Sequence, residues 1–124
     1  MSLKGHHILV IDDSRLMRRF MHALLEGTGA YVEVMRTAEE GMAAFEKQHH
    51  DLVLLDLKLP DNDGVNLLPL FKRESPEPVV IISSVRHDPR TIETAFLCGA
   101  DAYLPKPFMA SEALQMLEKY AVRH

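Results

Sequence analysis

The sequence predicts an α/β protein with an open parallel sheet and right-handed crossovers. Two observations carry that prediction. Five short apolar runs recur along the chain: Ile8-Leu9-Val10-Ile11, Tyr31 to Met35, Leu52-Val53-Leu54-Leu55, Val79-Val80-Ile81-Ile82 and Ala102-Tyr103-Leu104. Most are continuous rather than alternating, the pattern of strands covered on both faces. After each run comes a stretch with helical periodicity, and such alternation folds into a sheet crossed by helices. The second run is less regular and carries Glu33, which suits a sheet edge.

The helices follow in order. Met17, Phe20, Met21 and Leu24 recur at i, i+3, i+4 and i+7 and form the inward face of the first, which Gly27 and Gly29 stop. Thr37 to Glu40 reads as a capping box for the second helix, with Met42 and Phe45 facing inward. A third helix starts near Gly64 and shows Val65, Leu68 and Phe71; Pro69 is tolerable only early in it. Asp88-Pro89 caps and opens the fourth, whose face is Ile92, Ala95 and Phe96 and whose end is Gly99. The fifth begins near Ser111 and turns Ala113, Leu114, Leu117 and Tyr120 to the core.

The chain has 124 residues, enough for one domain over 1–124. Residues 1–5 are expected to be a disordered or cloning-derived tail, and either end is compatible with a cut from a longer protein. The net charge is -4 and no Lys/Arg run stands out, which argues against direct nucleic-acid binding by this domain. No stretch reaches the ~18 apolar residues of a membrane span, so no membrane association is expected. Cys98 is the only cysteine, so an intrachain disulfide is excluded and a reducing, cytoplasmic setting is expected. Seven histidines are present, but none stand in a His-x-x-x-His pattern, and His6-His7 and His49-His50 read as polar loop boundaries rather than a zinc site.

Ligands of open α/β sheets bind beyond the carboxyl ends of the strands. There the runs end in Asp12-Asp13, Asp56, Ser83-Ser84 and, just past the fifth, Lys106. Singly, each reads as a turn former, a helix cap or a solvated surface group. Together they supply the parts for one reaction. Crowded carboxylates repel, a problem that a hard divalent cation relieves, and magnesium takes one or two carboxylates plus a phosphate. A carboxylate can then accept a phosphoryl group whose spreading charge is met by metal, ammonium and hydroxyl. Haloacid-dehalogenase-like phosphatases share this chemistry but use Asp-x-Asp; the adjacency of Asp12 and Asp13 argues against them.

Five stretches are similar to the receiver domains of bacterial two-component response regulators, chemotaxis regulators among them. They are Val10-Ile11-Asp12-Asp13-Ser14, Asp51 to Asp56, Leu59-Pro60 with Asp63-Gly64, Pro78 to Ser83, and Gly99-Ala100-Asp101 to Lys106-Pro107-Phe108. The likeness runs from about Ile8 to Tyr120. It implies a flavodoxin-like, doubly wound (βα)5 three-layer fold with strand order 2-1-3-4-5. It further implies that Asp56 is phosphorylated from a phosphohistidine of a sensor histidine kinase or phosphotransfer protein, with Mg2+ or Mn2+ as cofactor. Asp13, Asp12 (through metal-bound water), Asp56 and the Lys58 carbonyl are the implied metal ligands. Ser83 and Lys106 would meet the phosphoryl oxygens, Pro107 would follow a cis peptide, and Ser83 with Tyr103 would form the switch. The resemblance implies no enzyme beyond self-phosphorylation and self-dephosphorylation. Its output would be a changed surface of the fourth helix, fifth strand and fifth helix, acting on an output domain or protein, with a homodimer through that surface as a further expectation. The alternative is a phosphate-independent pseudo-receiver, against which Asp13, Asp56 and Lys106 are all present. Lys58 and Val85 are unusual neighbours of the site, and their shielding predicts slow loss of the phosphoryl group.

Overall fold

The computed structural model describes residues 2–121. Five strands, β1 (His7–Ile11), β2 (Tyr31–Met35), β3 (Leu52–Leu55), β4 (Val79–Ser84) and β5 (Ala102–Pro105), lie parallel in the order β2-β1-β3-β4-β5. That is the expected doubly wound order, with β2 on an edge. The continuous apolar runs of β3 and β4 are buried along their whole length. The helices are α1 (Arg15–Glu26), α2 (Ala38–Lys47), α3 (Leu68–Lys72), α4 (Pro89–Leu97) and α5 (Ala110–Ala121).

Alternate residues of each strand feed two cores, one per face of the sheet. Leu9, Ile11, Val53, Leu55, Val80 and Ile82 meet Phe45 of α2, Leu68 and Phe71 of α3, and Ala95 of α4. Ile8, Val10, Leu52, Leu54 and Ile81 meet Met21 and Leu25 of α1 and Ala113 and Leu117 of α5. Phe45 and Phe71 pack edge to face at 4.9 Å, a contact worth about 0.5–1.5 kcal/mol beyond its buried area.

Several expectations are corrected. Leu3 is 1% exposed in the core under α1 and α5, so the leading segment is part of the packed domain from there on; Met1 lies outside the described residues. Phe20 and Phe96 are partly exposed and do not belong to inward faces. Helical period alone cannot fix the edge of an apolar stripe, and in α1 the buried positions are Met21 and Leu25. Glu40 does reach back, but to the Arg36 amide at 3.3 Å, while Thr37 Oγ1 accepts from the Glu40 amide. Pro69 lies in the first turn of α3, after a 3-10 turn at Gly64–Leu67, where a missing amide hydrogen leaves no bond unmade.

His6, His7, His49 and His50 lie at the end of the sheet away from the acids, where β1 and β3 begin. His50 is 1% exposed, and its Nε2 lies 2.6 Å from Glu33 Oε1 on edge strand β2. Burial lowers its pKa below the usual 6.5; Glu33 opposes that, and His7 and His49 add to it. A base depressed in the folded state binds its proton more readily when unfolded. Its contribution to stability is therefore intact above pH 6.5 and is lost as pH falls from there toward the lowered folded value. The melting temperature is expected to drop from pH 7 to 5.5 less steeply in His50→Gln than in the parent. Equal slopes in thermal melts across that range would refute this.

Candidate functional site

The sheet register builds the site. Ile11 pairs with Leu55 and Leu55 with Ile82, so the next residues of the three strands, Asp12, Asp56 and Ser83, stand side by side at the carboxyl edge. The Asp12 amide donates to the Met35 carbonyl and the Asp56 amide to the Ile11 carbonyl, which carries the ladder one step past the strands. Asp12 is 3%, Asp56 6% and Ser83 2% exposed; Asp13 points to solvent.

Carboxylate oxygens of Asp12, Asp13 and Asp56 lie within 4.8 Å of one another. Lys106, just past β5, neutralises part of this charge: its Nζ lies 2.6 Å from Asp12 Oδ2 and 3.2 Å from Asp56 Oδ2. Its amide is fixed by the Ser84 carbonyl, and the Lys106–Pro107 peptide is cis. Burial raises the Asp56 pKa above the usual carboxylate value; Asp12 adds to the rise, while Lys106 and the Lys58 amide, 3.2 Å from Asp56 Oδ1, oppose it. Burial alone would lower Lys106, but the hydrogen bond and charge of Asp12, together with Asp56, raise it, so the side chain stays an ammonium.

Two features fit a divalent cation with a phosphoryl oxyanion. The carboxylate trio combines two buried acids with one exposed one, leaving a solvent-facing side for hydrated metal. Among the described residues, Ser83 Oγ is buried without a hydrogen-bond partner, and a buried orphan hydroxyl is costly unless something meets it. Asp13, Ser14, Met17, Asp56, Lys58, Val85 and Lys106 line one cleft of about 300 Å³, with Lys58 and Val85 on its exposed rim.

The β3–α3 connection holds Lys58. It pairs with Asp63 in an isolated antiparallel bridge closed by the Gly64 amide on the Leu57 carbonyl (2.6 Å) and the Leu59 amide on the Asn62 carbonyl (3.3 Å). Neither bond uses the Lys58 carbonyl. Tyr103 pairs with Ile82 in the ladder, is half-buried against the α2–α4 core, and donates its hydroxyl to the Arg86 carbonyl in the loop after β4.

Sequence reasoning gave no role to four residues here. Ser14 caps α1 through the Met17 amide and gives its own amide to Asp12 Oδ1; Arg18 donates to the Asp12 carbonyl. A Ser before a helical pattern is a legible cap, but the aim of Arg18 is not. Asp61 and Gly64 act through contacts far along the chain or through backbone proximity, which no local pattern reveals.

The chain that carries this geometry, a buried acid at the end of β3 flanked by two acids, a lysine and an unpartnered hydroxyl, has relatives among known proteins. A family model described as the response regulator receiver domain matches residues 8–118. The chain belongs to that family. The receiver is 34% identical over 118 residues to the KDP operon transcriptional regulatory protein KdpE of Escherichia coli K12, a match spanning 95% of this chain and 52% of KdpE. It is 32% identical to the chemotaxis protein CheY of Bacillus subtilis, with 93% of this chain and 97% of CheY covered. Among solved structures, a CheY-like receiver domain protein from Methanospirillum hungatei superposes with a TM-score of 0.89 at 30% identity, over 94% of each chain. The chain spans about half of KdpE and a quarter of the NtrC regulators it also matches.

Proposed function

We propose that this receiver accepts a phosphoryl group on Asp56 in a reaction that requires a divalent cation. The observation that carries the reading is the convergence of Asp12, Asp13, Asp56 and Lys106 within hydrogen-bonding or metal-bridging distance, beside the unpartnered Ser83 hydroxyl. Asp13, Asp12, Asp56 and the Lys58 carbonyl would hold Mg2+ or Mn2+, whose charge offsets that of the acids and of the incoming phosphoryl group. An Asp56 oxygen attacks phosphorus while the bond to the donor's leaving group breaks in line. Lys106 Nζ follows the new charge, moving its contact from Asp56 Oδ2 to a phosphoryl oxygen. Ser83 Oγ donates to another.

In the cell the proposed donor is a sensor histidine kinase or a phosphotransfer protein acting in the cytoplasm, as the resemblance to the family implies. Phosphorylation adds about -1.5 to -2 charge by analogy with modified hydroxyls, enough to bias a two-state element. Ser83 would be drawn toward the phosphoryl group, and Tyr103, now tethered to the Arg86 carbonyl, would exchange that contact for a more buried one. The loop carrying Arg86 leads into α4, so the surface of α4, β5 and α5 changes with it and acts on an output domain or protein. Self-pairing through this surface is one form the output can take. The chain is no enzyme toward other substrates.

Mass spectrometry after incubation with acetyl phosphate and Mg2+ tests the reading. The parent is expected to gain one phosphoryl group and Asp56→Asn none; an unmodified parent would overturn it. Shielding at the rim by Lys58 and Val85 further predicts that the adduct outlasts donor removal by minutes rather than seconds. An adduct that decays within seconds would count against that shielding.

A further inference from the structure

We propose that Asp61 is a positioning residue for the phospho-acceptor site, pinning the β3–α3 loop to the first turn of α2 and so fixing the Lys58 backbone for the cation. The inference rests on the reading of Asp56 as phospho-acceptor. Asp61 Oδ1 accepts from the Ala38 amide at 2.9 Å and Oδ2 from the Glu39 amide at 3.0 Å. The Glu40 amide goes to Thr37 Oγ1, so the first three amides of α2, which a helix cannot satisfy internally, are shared between a local cap and a residue from another loop. The two amides hold the Asp61 carboxyl below the usual carboxylate range, so it is ionised and accepting at neutral pH.

A helix of this length needs a cap but not one from 22 residues away. What the long-range cap adds is a fixed place for the loop. The other hydrogen bonds of the loop tip stay local: Asn62 Oδ1 accepts from the Asp63 amide and Asn66 Nδ2, and Asp63 Oδ1 accepts from the Val65 amide. These bonds close the turn but do not orient it. Among the described residues, the hydrogen bonds that carry residues 59–63 beyond this loop and the 3-10 turn that follows it are those of Asp61. Lys58 lies at the base of this turn, paired with Asp63, and its amide already meets Asp56 Oδ1. A tip released from α2 would let the Lys58 peptide tilt away from the carboxylates.

The test compares Asp61→Ala, Asp61→Asn and Thr37→Ala with the parent, titrating MgCl2 and following amide resonances of residues 12, 13 and 56–58. Thermal melts confirm that each variant is folded. Supporting partners of metal ligands typically change affinity by 10–100-fold, and Asp61→Ala is expected to weaken Mg2+ binding about tenfold. Its phosphorylation by acetyl phosphate recovers at saturating Mg2+. Asp61→Asn, which keeps one acceptor, falls between. Thr37→Ala removes a cap of the same helix without touching the loop and leaves Mg2+ affinity unchanged. Parent-like affinity in Asp61→Ala, or an equal loss in Thr37→Ala, would show Asp61 to be a helix cap alone and overturn the proposal. A parent that binds no Mg2+ would instead overturn the phospho-acceptor reading beneath it.

Discussion

Lys106→Ala is expected to destabilise the fold by about 3–5 kcal/mol at pH 7 in metal-free buffer, the range for removing one partner of a buried ion pair. Its ammonium contacts two carboxylates, Asp12 and Asp56, that are 3% and 6% exposed. Lys58 cannot substitute, because its side chain is exposed on the cleft rim. Without Lys106 the two buried acids face each other with no ammonium between them, and Asp56, already raised by burial and by Asp12, is raised further. An acid whose folded pKa exceeds its unfolded value favours the folded state only while protonated. The deficit is therefore small near pH 4 and grows as pH rises through the folded pKa. Urea denaturation at pH 5 and pH 7 measures this. Millimolar Mg2+ should restore part of the loss, and the double variant Lys106→Ala/Asp56→Asn should recover most of it by removing the stranded charge. A single variant as stable as the parent at pH 7 without metal would show that the lysine does not neutralise the site.

The same contacts show why this site was legible in the sequence. Strand runs are read from continuous hydrophobicity, and a parallel register then fixes which residues become neighbours, so Asp12, Asp56 and Ser83 could be placed together from pattern alone. Lys106 belongs to that set because it follows a strand of the same sheet. What escaped depends on distance in the chain rather than period along it. Leu3 is buried because the hydrogen bond between the Gly5 amide and the Gly29 carbonyl folds the leading segment back beside the α1–β2 turn. Phe96 obeys the helical period and still faces out, since one stripe on a short helix can be read at several rotations. Asp61 shows the limit most clearly: in sequence it is one polar residue of a turn, and its meaning lies in two amides of another helix.

Gly64→Ala is expected to damage both fold and site, though its backbone conformation is open to any residue. The constraint is space. A Cβ on Gly64 would lie 2.2 Å from the Asp56 carbonyl oxygen, 2.9 Å from Leu57 Cα and 3.1 Å from the Asp56 carbonyl carbon. All three are backbone atoms, so no side chain can rotate away. The Gly64 amide is also bonded to the Leu57 carbonyl at 2.6 Å, which draws the two segments together where the methyl would push them apart. Either the bridge at Lys58 and Asp63 opens or the end of β3 shifts, and either movement displaces Asp56 or Lys58. Overpacking of this kind typically costs about 1–3 kcal/mol, and a rigid backbone on both sides puts this case at the upper end. Gly27→Ala is the matched control: its Cβ would meet only helix carbonyls at 3.5 and 3.6 Å, and its stability should stay within about 1 kcal/mol of the parent. Phosphorylation by acetyl phosphate, followed by mass, separates the two variants further. Gly64→Ala should lose at least about tenfold in rate, as expected when reacting groups are displaced by a fraction of an ångström to an ångström. Parent-like stability and phosphorylation in Gly64→Ala would mean that the loop yields without moving the strand, and that the close approach of Gly64 to Asp56 has no part in holding the acceptor in place.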